Sequence, residues 1–519
     1  MALNLLRTKS IEQSLADTDE PEYQLKKSLT ALDLTVFGIG VIIGAGIFTL
    51  TGRAAHNLAG PAVVLSFVVA AIGCGLAALC YAEFASTVPV SGSAYTFSYA
   101  ALGEIFAWII GWDLVLECFM ASSVVAQGWS AYFTTFLDQL TGQPDGAHVL
   151  PEAIGYGGTI DLMAVLLVVV LGTLMIIGIK ESMRVNLVLV SLKLFIVLFV
   201  IVAGIQFVKS SNWSPFIPPN GPQPLDMPQA NSVMTQPLMQ WLIGLEPSSY
   251  GLVGVFSGAA LVFFAYIGFD IVATTAEEAK NPKRDLPIGI IASLIICTIL
   301  YCAVSLVVTG MVSYEDITQS AALANAFAFH GKTWMAVIIS AGAVAGLTTV
   351  VLTMLIGSTR IIFAMSRDNL LPVGLAKVHP KFRTPYIIGI IVTVICALVA
   401  GLTPVGVLEE MVNIGTLSAF VLVSISVIVL RHKRPDLQRP FRVPAVHVIG
   451  TLAAVVCFYL MLNLAVETWL RFLVWLVIGF IIYFAYSHSH SRVLTHKALH
   501  PDIVAQMDAG HLTPPENRG

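Results

Sequence analysis

Apolar residues along this chain come in blocks of about 20, the length that carries a helix across a bilayer core. Twelve blocks are predicted as membrane-crossing helices, at approximately 32–52, 61–86, 101–137, 159–179, 185–208, 250–276, 286–312, 333–363, 385–402, 408–430, 446–466 and 469–487. The third exceeds what a bilayer needs and is expected to tilt. The pattern predicts an all-α polytopic membrane protein with 12 transmembrane helices. Residues 1–29 are polar and charged and lack the apolar core and cleavage site of a signal peptide, so they read as a tail ahead of a retained first span. Residues 30–487 form the membrane domain, and 488–519 a second tail. The proline-rich connection 209–249 is the longest between spans and is expected to cap the outer face.

Two blocks are interrupted. The first contains Gly38-Ile39-Gly40-Val41-Ile42-Ile43-Gly44-Ala45-Gly46-Ile47-Phe48, and each glycine in a helix costs about 1 kcal/mol relative to alanine. One reading is packing, since Gly40 and Gly44 make a GxxxG face that lets two helices approach. The other is a broken helix whose freed amides hold a carboxylate; an unwound turn survives in a membrane only where it lines a cavity. The sixth block reads Phe263-Phe264-Ala265-Tyr266-Ile267-Gly268-Phe269-Asp270. Its Gly268 and Asp270 break an apolar run, and an acid at that depth must face protein or water, where it could accept freed amides. The two blocks are five spans apart, an odd number, so repeat one (about 30–208) and repeat two (about 250–430) are predicted as inverted copies, followed by helices 11–12 at about 446–487. Interruptions at matching positions of inverted halves point to a midplane substrate site and favour the broken-helix reading.

Composition and charge sharpen this picture. The chain is 57% hydrophobic and 11% charged, with a mean hydropathy of +0.84, which excludes a soluble protein of this size. Of its 27 lysines and arginines, 22 fall in the two tails and in the connections after spans four, six, eight and ten. Arg53, Lys209, Lys332 and Arg471 lie on the other side. The positive-inside rule therefore puts both termini in the cytoplasm. A net charge of −4 says little for a membrane protein, and no nucleic-acid partner is expected. Seven cysteines all fall in apolar segments without metal spacing, so they read as reduced core residues; no metal and no cofactor is expected.

The glycine cluster Gly38–Gly52 with its Ile-Phe-x-Leu-x-Gly ending, Phe264-Ala-Tyr-Ile-Gly-Phe-Asp270, Ala273-Thr-Thr-Ala-Glu-Glu-Ala-Lys-Asn-Pro-Lys-Arg-Asp-Leu-Pro287 and Ser366-Arg-Asp-Asn-Leu-Leu-Pro372 resemble the amino acid–polyamine–organocation transporters, and within them the cationic amino acid transporter branch. Twelve spans resemble the bacterial members, which implies a bacterial inner membrane as the plasma membrane. The resemblance covers roughly 28–487. It implies a five-plus-five inverted repeat with broken helices 1 and 6 plus two C-terminal helices, and an L-amino acid as substrate. The carboxylate would meet amides at Gly44, Ala45 and Gly46. The ammonium would meet carbonyls at Ile42 in span one and at Phe264, Ala265 and Ile267 in span six, with Ile43 and Gly268 beside them. Phe264 would lie over the site as an aromatic lid.

Lys193 is the single basic residue deep in a span. A snorkelling lysine is the plain reading, but its depth argues against escape to an interface. The resemblance implies proton coupling instead: in proton-coupled members a span-five lysine holds its amine between spans one and eight. Its partners would be a carbonyl near Ile43 and the group Ala345, Thr348 and Thr349. Burial disfavours the charged form of an amine, so such a group can lose and regain a proton as the site opens to either side. Asp113 and Glu117 share a face of span three; Asp113 is expected near a solvated end, while Glu117, like Asp270, is a candidate for the pathway. Glu277 and Glu278 end span six, in an inner gate or a solvated helix end.

Three functions compete. A secondary transporter importing amino acids with protons fits the interrupted helices; exchange of amino acids or polyamines, or uniport, is the alternative. A membrane-embedded enzyme would want clustered histidine, aspartate or cysteine at membrane depth, and the 11 histidines and seven cysteines are scattered or outside the spans. A channel would favour a continuous polar pore, usually within a ring of subunits. The expected partners are substrate, proton and membrane lipid.

Overall fold

A computed structural model of the chain describes residue 7 and residues 29–88, 93–142, 149–151, 155–156, 158–178, 183–222, 232–382 and 384–491. The predicted tails lie almost wholly outside these residues, as do the side chain of Glu277 and part of the connection 209–249. Among the described residues the chain is helical, with isolated bridges and no strand. The main helices are α1 (Ala31–Ile42), α2 (Val63–Thr87), α3 (Glu104–Thr141), α4 (Leu162–Ile177), α5 (Met183–Gly204), α6 (Gly251–Val262), α7 (Phe269–Thr274), α8 (Pro282–Met311), α9 (Thr333–Arg367), α10 (Tyr386–Leu402), α11 (Val405–Lys433), α12 (Val446–Leu462) and α13 (Val466–Ile482). Eight helical stretches are long and apolar enough to cross a membrane, and four shorter apolar helices accompany them, α1, α4, α10 and α12.

Local chemistry sets the ends. Thr30 and Asp33 make a reciprocal capping box at the start of α1, satisfying two amides that a helix start leaves open. Asn281-Pro282 starts α8, with proline at a position where no amide is needed. α3 has 38 residues, about 57 Å at 1.5 Å per residue, so it outruns a bilayer core as expected. Small residues let helices close on each other: a Cβ on Gly172 of α4 would stand 2.1 Å from Thr393 Oγ1 of α10, and one on Gly342 of α9 would meet Ile196 of α5 at 2.3 Å.

Several boundaries differ from the sequence reading. The helix that resumes after the first break runs to Ala59 rather than ending near residue 52, because its polar residues find partners. His56 Nδ1 is bonded to the carbonyl of Tyr314 at 3.0 Å, and Asn57 Nδ2 donates to Gln319 Oε1 at 3.3 Å. A separate helix, Ser93–Ala101, precedes α3, and another, Ala322–Phe329, fills the connection between α8 and α9. Asp113 is fully buried rather than solvated: α11 crosses this face of α3, and Ser418 Oγ donates to the Asp113 carboxylate. The described parts of the connection 209–249 pack against one end of the bundle. Trp213 Nε1 donates to Leu306 O at 3.2 Å, Asn212 Nδ2 to Gly310 O at 2.8 Å, and Leu238 N to Leu464 O at 2.9 Å. All seven cysteines are unbonded, six of them buried.

At the opposite end, one carboxylate gathers the connection between α11 and α12. Glu83 of α2, 4% exposed, accepts from Arg431 Nε at 2.9 Å and Val443 N at 2.7 Å, with Arg439 Nε at 3.4 Å. Removing one partner of a buried ion pair leaves the other charge uncompensated. Glu83→Ala is expected to destabilise the protein by about 3–5 kcal/mol, read as a lowered midpoint of thermal unfolding in detergent; an unchanged midpoint would show that the connection is held by other contacts.

Candidate functional site

The site begins where α1 stops. Ile43 adopts an extended backbone (φ −72°, ψ 92°) and Gly44 a bend, and the helix resumes at Ala45–Gly46. A helix that ends leaves its last four carbonyls without intrahelical donors. The last intrahelical bond of α1 runs from Ile43 N to Ile39 O at 2.9 Å. Of the carbonyls beyond it, Gly40 O accepts from Lys193 Nζ at 2.6 Å and Ile42 O from the hydroxyl of Tyr301 at 2.7 Å.

The second break mirrors the first. α6 tightens into a 3-10 turn at Phe263–Tyr266, Ile267 is extended (φ −62°, ψ 133°), and Gly268 sits at φ 125° before α7 starts. Only glycine adopts that backbone freely, and a Cβ there would also press Val41 Cγ1 at 2.7 Å. Gly268 N donates to Asp270 Oδ1 at 3.2 Å, and Ile267 N to Phe264 O at 3.1 Å. Asp270, 3% exposed, thus does for the second break what a capping residue does at a helix start.

The two breaks touch. A Cβ on Gly46 would stand 2.2 Å from the Cα of Ala265, so the resumed helix can seat against the 3-10 turn only with glycine at that position. Tyr301 of α8, fully buried, joins them, its hydroxyl lying 3.0 Å from Ala265 O as well as 2.7 Å from Ile42 O. Further out, Leu29 N donates to Glu278 O at 3.0 Å and Lys280 N to Leu29 O at 2.8 Å, tying the start of α1 to the segment after α7.

Between the breaks lies a small cavity of about 10 Å³, room for one water. It is lined by Val41, Ile42, Gly44, Ala45, Gly46, Val125, Phe264, Ile267, Val350 and Met354. Ile42, Gly44, Ala45, Gly46, Phe264 and Ile267 were expected from the sequence. Ala265 and Gly268 stand at the break beside it, and Ile43, also buried, supplies the bend. Val125 of α3 and Val350 and Met354 of α9 were not anticipated, since an apolar residue in an apolar span carries no signal of which face it takes. Tyr301 escaped notice for a related reason: nothing in its surrounding sequence marks a hydroxyl that bridges two carbonyls. Two of the carbonyls assigned to the ammonium, Ile42 O and Ala265 O, thus share the Tyr301 hydroxyl, and Phe264 O takes the amide of Ile267. A carbonyl has two lone pairs, so each retains room for a second donor.

Lys193 of α5 is 1% exposed. Its stem crosses α9 at Gly346, where a Cβ would meet Lys193 Cγ at 2.9 Å, so the amine sits between α1 and α9. The α1 carbonyl it reaches is that of Gly40, three residues before Ile43. The break itself explains this, because an intact helix would give Gly40 O to the amide of Gly44. Thr348 and Thr349 donate within α9, to Val344 O and Gly346 O, both at 2.8 Å; Ala345 lies between these residues on the same helix.

Glu117 of α3 is 2% exposed, and its Oε2 has no hydrogen-bond partner among the described residues. A further pair was not foreseen: Arg53, in the resumed helix, donates to the fully buried Glu409 of α11. The sequence shows both charges but not that they meet, 356 residues apart.

A family model described as amino acid permease matches residues 29–486. Among characterised proteins, a branched-chain amino acid permease of Bacillus subtilis (strain 168) is 49% identical over 94% of this chain and 99% of its own length. A methylthioribose transporter of the same strain is 42% identical over the same shares. Cationic amino acid transporter 4, vacuolar, of Arabidopsis thaliana is 37% identical over 83% of this chain and 68% of its own. The matched stretch takes in both breaks, Lys193 and all the main helices, and the chain belongs to the amino acid permease family.

Proposed function

We propose that this chain is a secondary transporter that carries apolar L-amino acids across the plasma membrane, coupled to protons, by alternating access. The observation that carries the reading is the cavity between the two breaks. Peptide groups form one part of its wall, and uncharged side chains, Val125, Phe264, Val350 and Met354, form the rest. The resumed helix points its N-terminus, with its unpaired amides and positive dipole end, towards where a carboxylate would lie. The ends of α1 and of the 3-10 turn offer carbonyls to an ammonium. An apolar side chain would face Val125, Val350 and Met354, whereas a cationic one would meet no carboxylate among the lining residues. The 49% identity to a branched-chain amino acid permease supports the same choice. Because the cavity holds about one water, an amino acid enters only if Phe264 and Met354 give way.

Repeat one (about 30–208) and repeat two (about 250–430) would supply one broken helix each, with both termini in the cytoplasm. Lys193 would couple the proton. Its amine occupies the carbonyl end of α1, where the helix dipole favours a cation. Loss of its proton would release Gly40 O and loosen α1 from α5 and α9. The Arg53–Glu409 pair would close the outer side by holding the resumed helix to α11, and the Leu29–Ala279 bridge would keep α1 and α7 moving together. Glu117 and Asp270, both buried, would be candidates for the proton's path.

A thermal-shift panel of purified protein against the 20 amino acids, polyamines and methylthioribose tests the substrate. Leucine, isoleucine and valine are expected to raise the melting temperature, by the equivalent of about 2.7 kcal/mol at a hundredfold excess over Kd; a shift with lysine, arginine or methylthioribose alone would refute the apolar assignment. Lys193→Ala is expected to lower proton-driven accumulation in proteoliposomes by about tenfold or more, equivalent to ~1.4 kcal/mol, while exchange of labelled for unlabelled substrate persists. Full pH-dependent accumulation in that variant would remove Lys193 from the coupling.

A further inference from the structure

Away from the substrate cavity, an open groove of about 350 Å³ lies where α11 ends and α12 begins, lined by Arg431, His432, Ala445, Val446 and His447. From this groove we infer a binding site for the phosphate headgroup of an anionic phospholipid, separate from the transport pathway.

The charge balance is the first support. Glu83 faces two guanidiniums, Arg431 and Arg439, so one positive charge is left over. Arg431 keeps 24% of its side chain exposed even while bonded to Glu83. The neighbouring Arg434 does not add to the surplus, because its guanidinium is bonded to Asp436 and holds that carboxyl below the usual carboxylate range. His432 and His447 lie with ring centroids 5.0 Å apart on facing helix ends, and His432 Nδ1 is anchored to Ile428 O at 3.0 Å. Among the described residues, no acidic side chain lines the groove.

The backbone is the second support. Ala445 precedes α12 in the left-handed region (φ 41°, ψ 54°), and no side chain caps the helix. Ala445 O takes the amides of Val448 and Ile449 at 2.8 and 3.0 Å, so the helix's own bonds begin there, and the two residues ahead of that first donor, Val446 and His447, line the groove.

The third support selects a lipid over a free anion. From the groove, α12 presents Val448 (65% exposed), Leu452 and Val455 on one face, at the spacing of successive helical turns. An acyl chain would lie along this stripe beneath its headgroup. A basic pocket between membrane helices at a bilayer surface is the setting in which anionic headgroups bind. The inference requires that the end of α11 and the start of α12 lie at one surface of the bilayer; it does not depend on which amino acid is carried.

Native mass spectrometry of the full chain, released from nanodiscs containing phosphatidylglycerol and phosphatidylcholine in equal amounts, tests it. The wild type is expected to retain phosphatidylglycerol preferentially, and the His432→Glu/His447→Glu variant to lose that preference by about tenfold, or ~1.4 kcal/mol. His447→Arg, which places a permanent cation at the groove, is expected to retain it, and an unchanged melting temperature in phosphatidylcholine alone verifies that each variant folds. Millimolar inorganic phosphate is expected not to displace the lipid. Equal retention of both lipids by the wild type, undiminished preference in the double glutamate variant, or full displacement by inorganic phosphate would each overturn the assignment.

Discussion

Lipid offers no hydrogen bonds, so every peptide group that a broken membrane helix sets free must find a partner inside the protein. Most of this structure's particular features follow from meeting that demand twice in one place. The carbonyls at the end of α1 go to Ile43 N, Lys193 and Tyr301; the amide of Gly268 goes to Asp270; Ala265 O shares Tyr301 with Ile42 O. One phenol thus serves both breaks, which can happen only because Gly46 lets them come into contact. The groups that remain open, at the start of the resumed helix, are those with no helical partner to find. A ligand with a negative and a positive end would complete the set.

In the proposed mechanism the same demand would link binding to the proton. An amine buried in an apolar bundle is costly, but the end of α1 is a place of negative potential with a spare carbonyl. Lys193 and the break therefore need each other: the break frees Gly40 O, and the lysine satisfies it. A change in the charge of that amine would act on the helix proposed to form half the substrate site, with no long chain of intermediaries. The Arg53–Glu409 pair and the backbone ties at Leu29 brace the two halves of the broken first helix against different partners, as separate movement of the halves would require.

The breaks and the lone amine were legible in the sequence because they violate a strong local rule. Gly44, Gly46, Gly268, Asp270 and Lys193 each stand out against an apolar run, and the helices stand out by length. What stayed hidden depends on pairing between distant segments. Arg53, His56 and Asn57 looked like a loop because they are polar, yet they continue a helix since Glu409, Tyr314 and Gln319 receive them. Asp113 looked solvated because its position along α3 says nothing of α11 crossing over it. Tyr301, Val125, Val350 and Met354 carry no local signal, since in a membrane helix both the lipid face and the cavity face are apolar. Lys193 was found, but its acceptor shifted to Gly40 because the exact point of unwinding, Ile43, cannot be read from a run of glycines.

The central claim is that peptide groups at two helix ends hold the two charges of one small zwitterion. Competition for binding of radiolabelled leucine by analogues lacking one charge tests it most directly: 4-methylpentanoate keeps the carboxylate without the amine, and 3-methylbutylamine keeps the amine without the carboxylate. Losing either charge should weaken competition by about a hundredfold or more, some 2.7 kcal/mol, since a site built for a polar group rejects the analogue that leaves it unpaired. Competition by either analogue at the level of leucine itself would contradict the account.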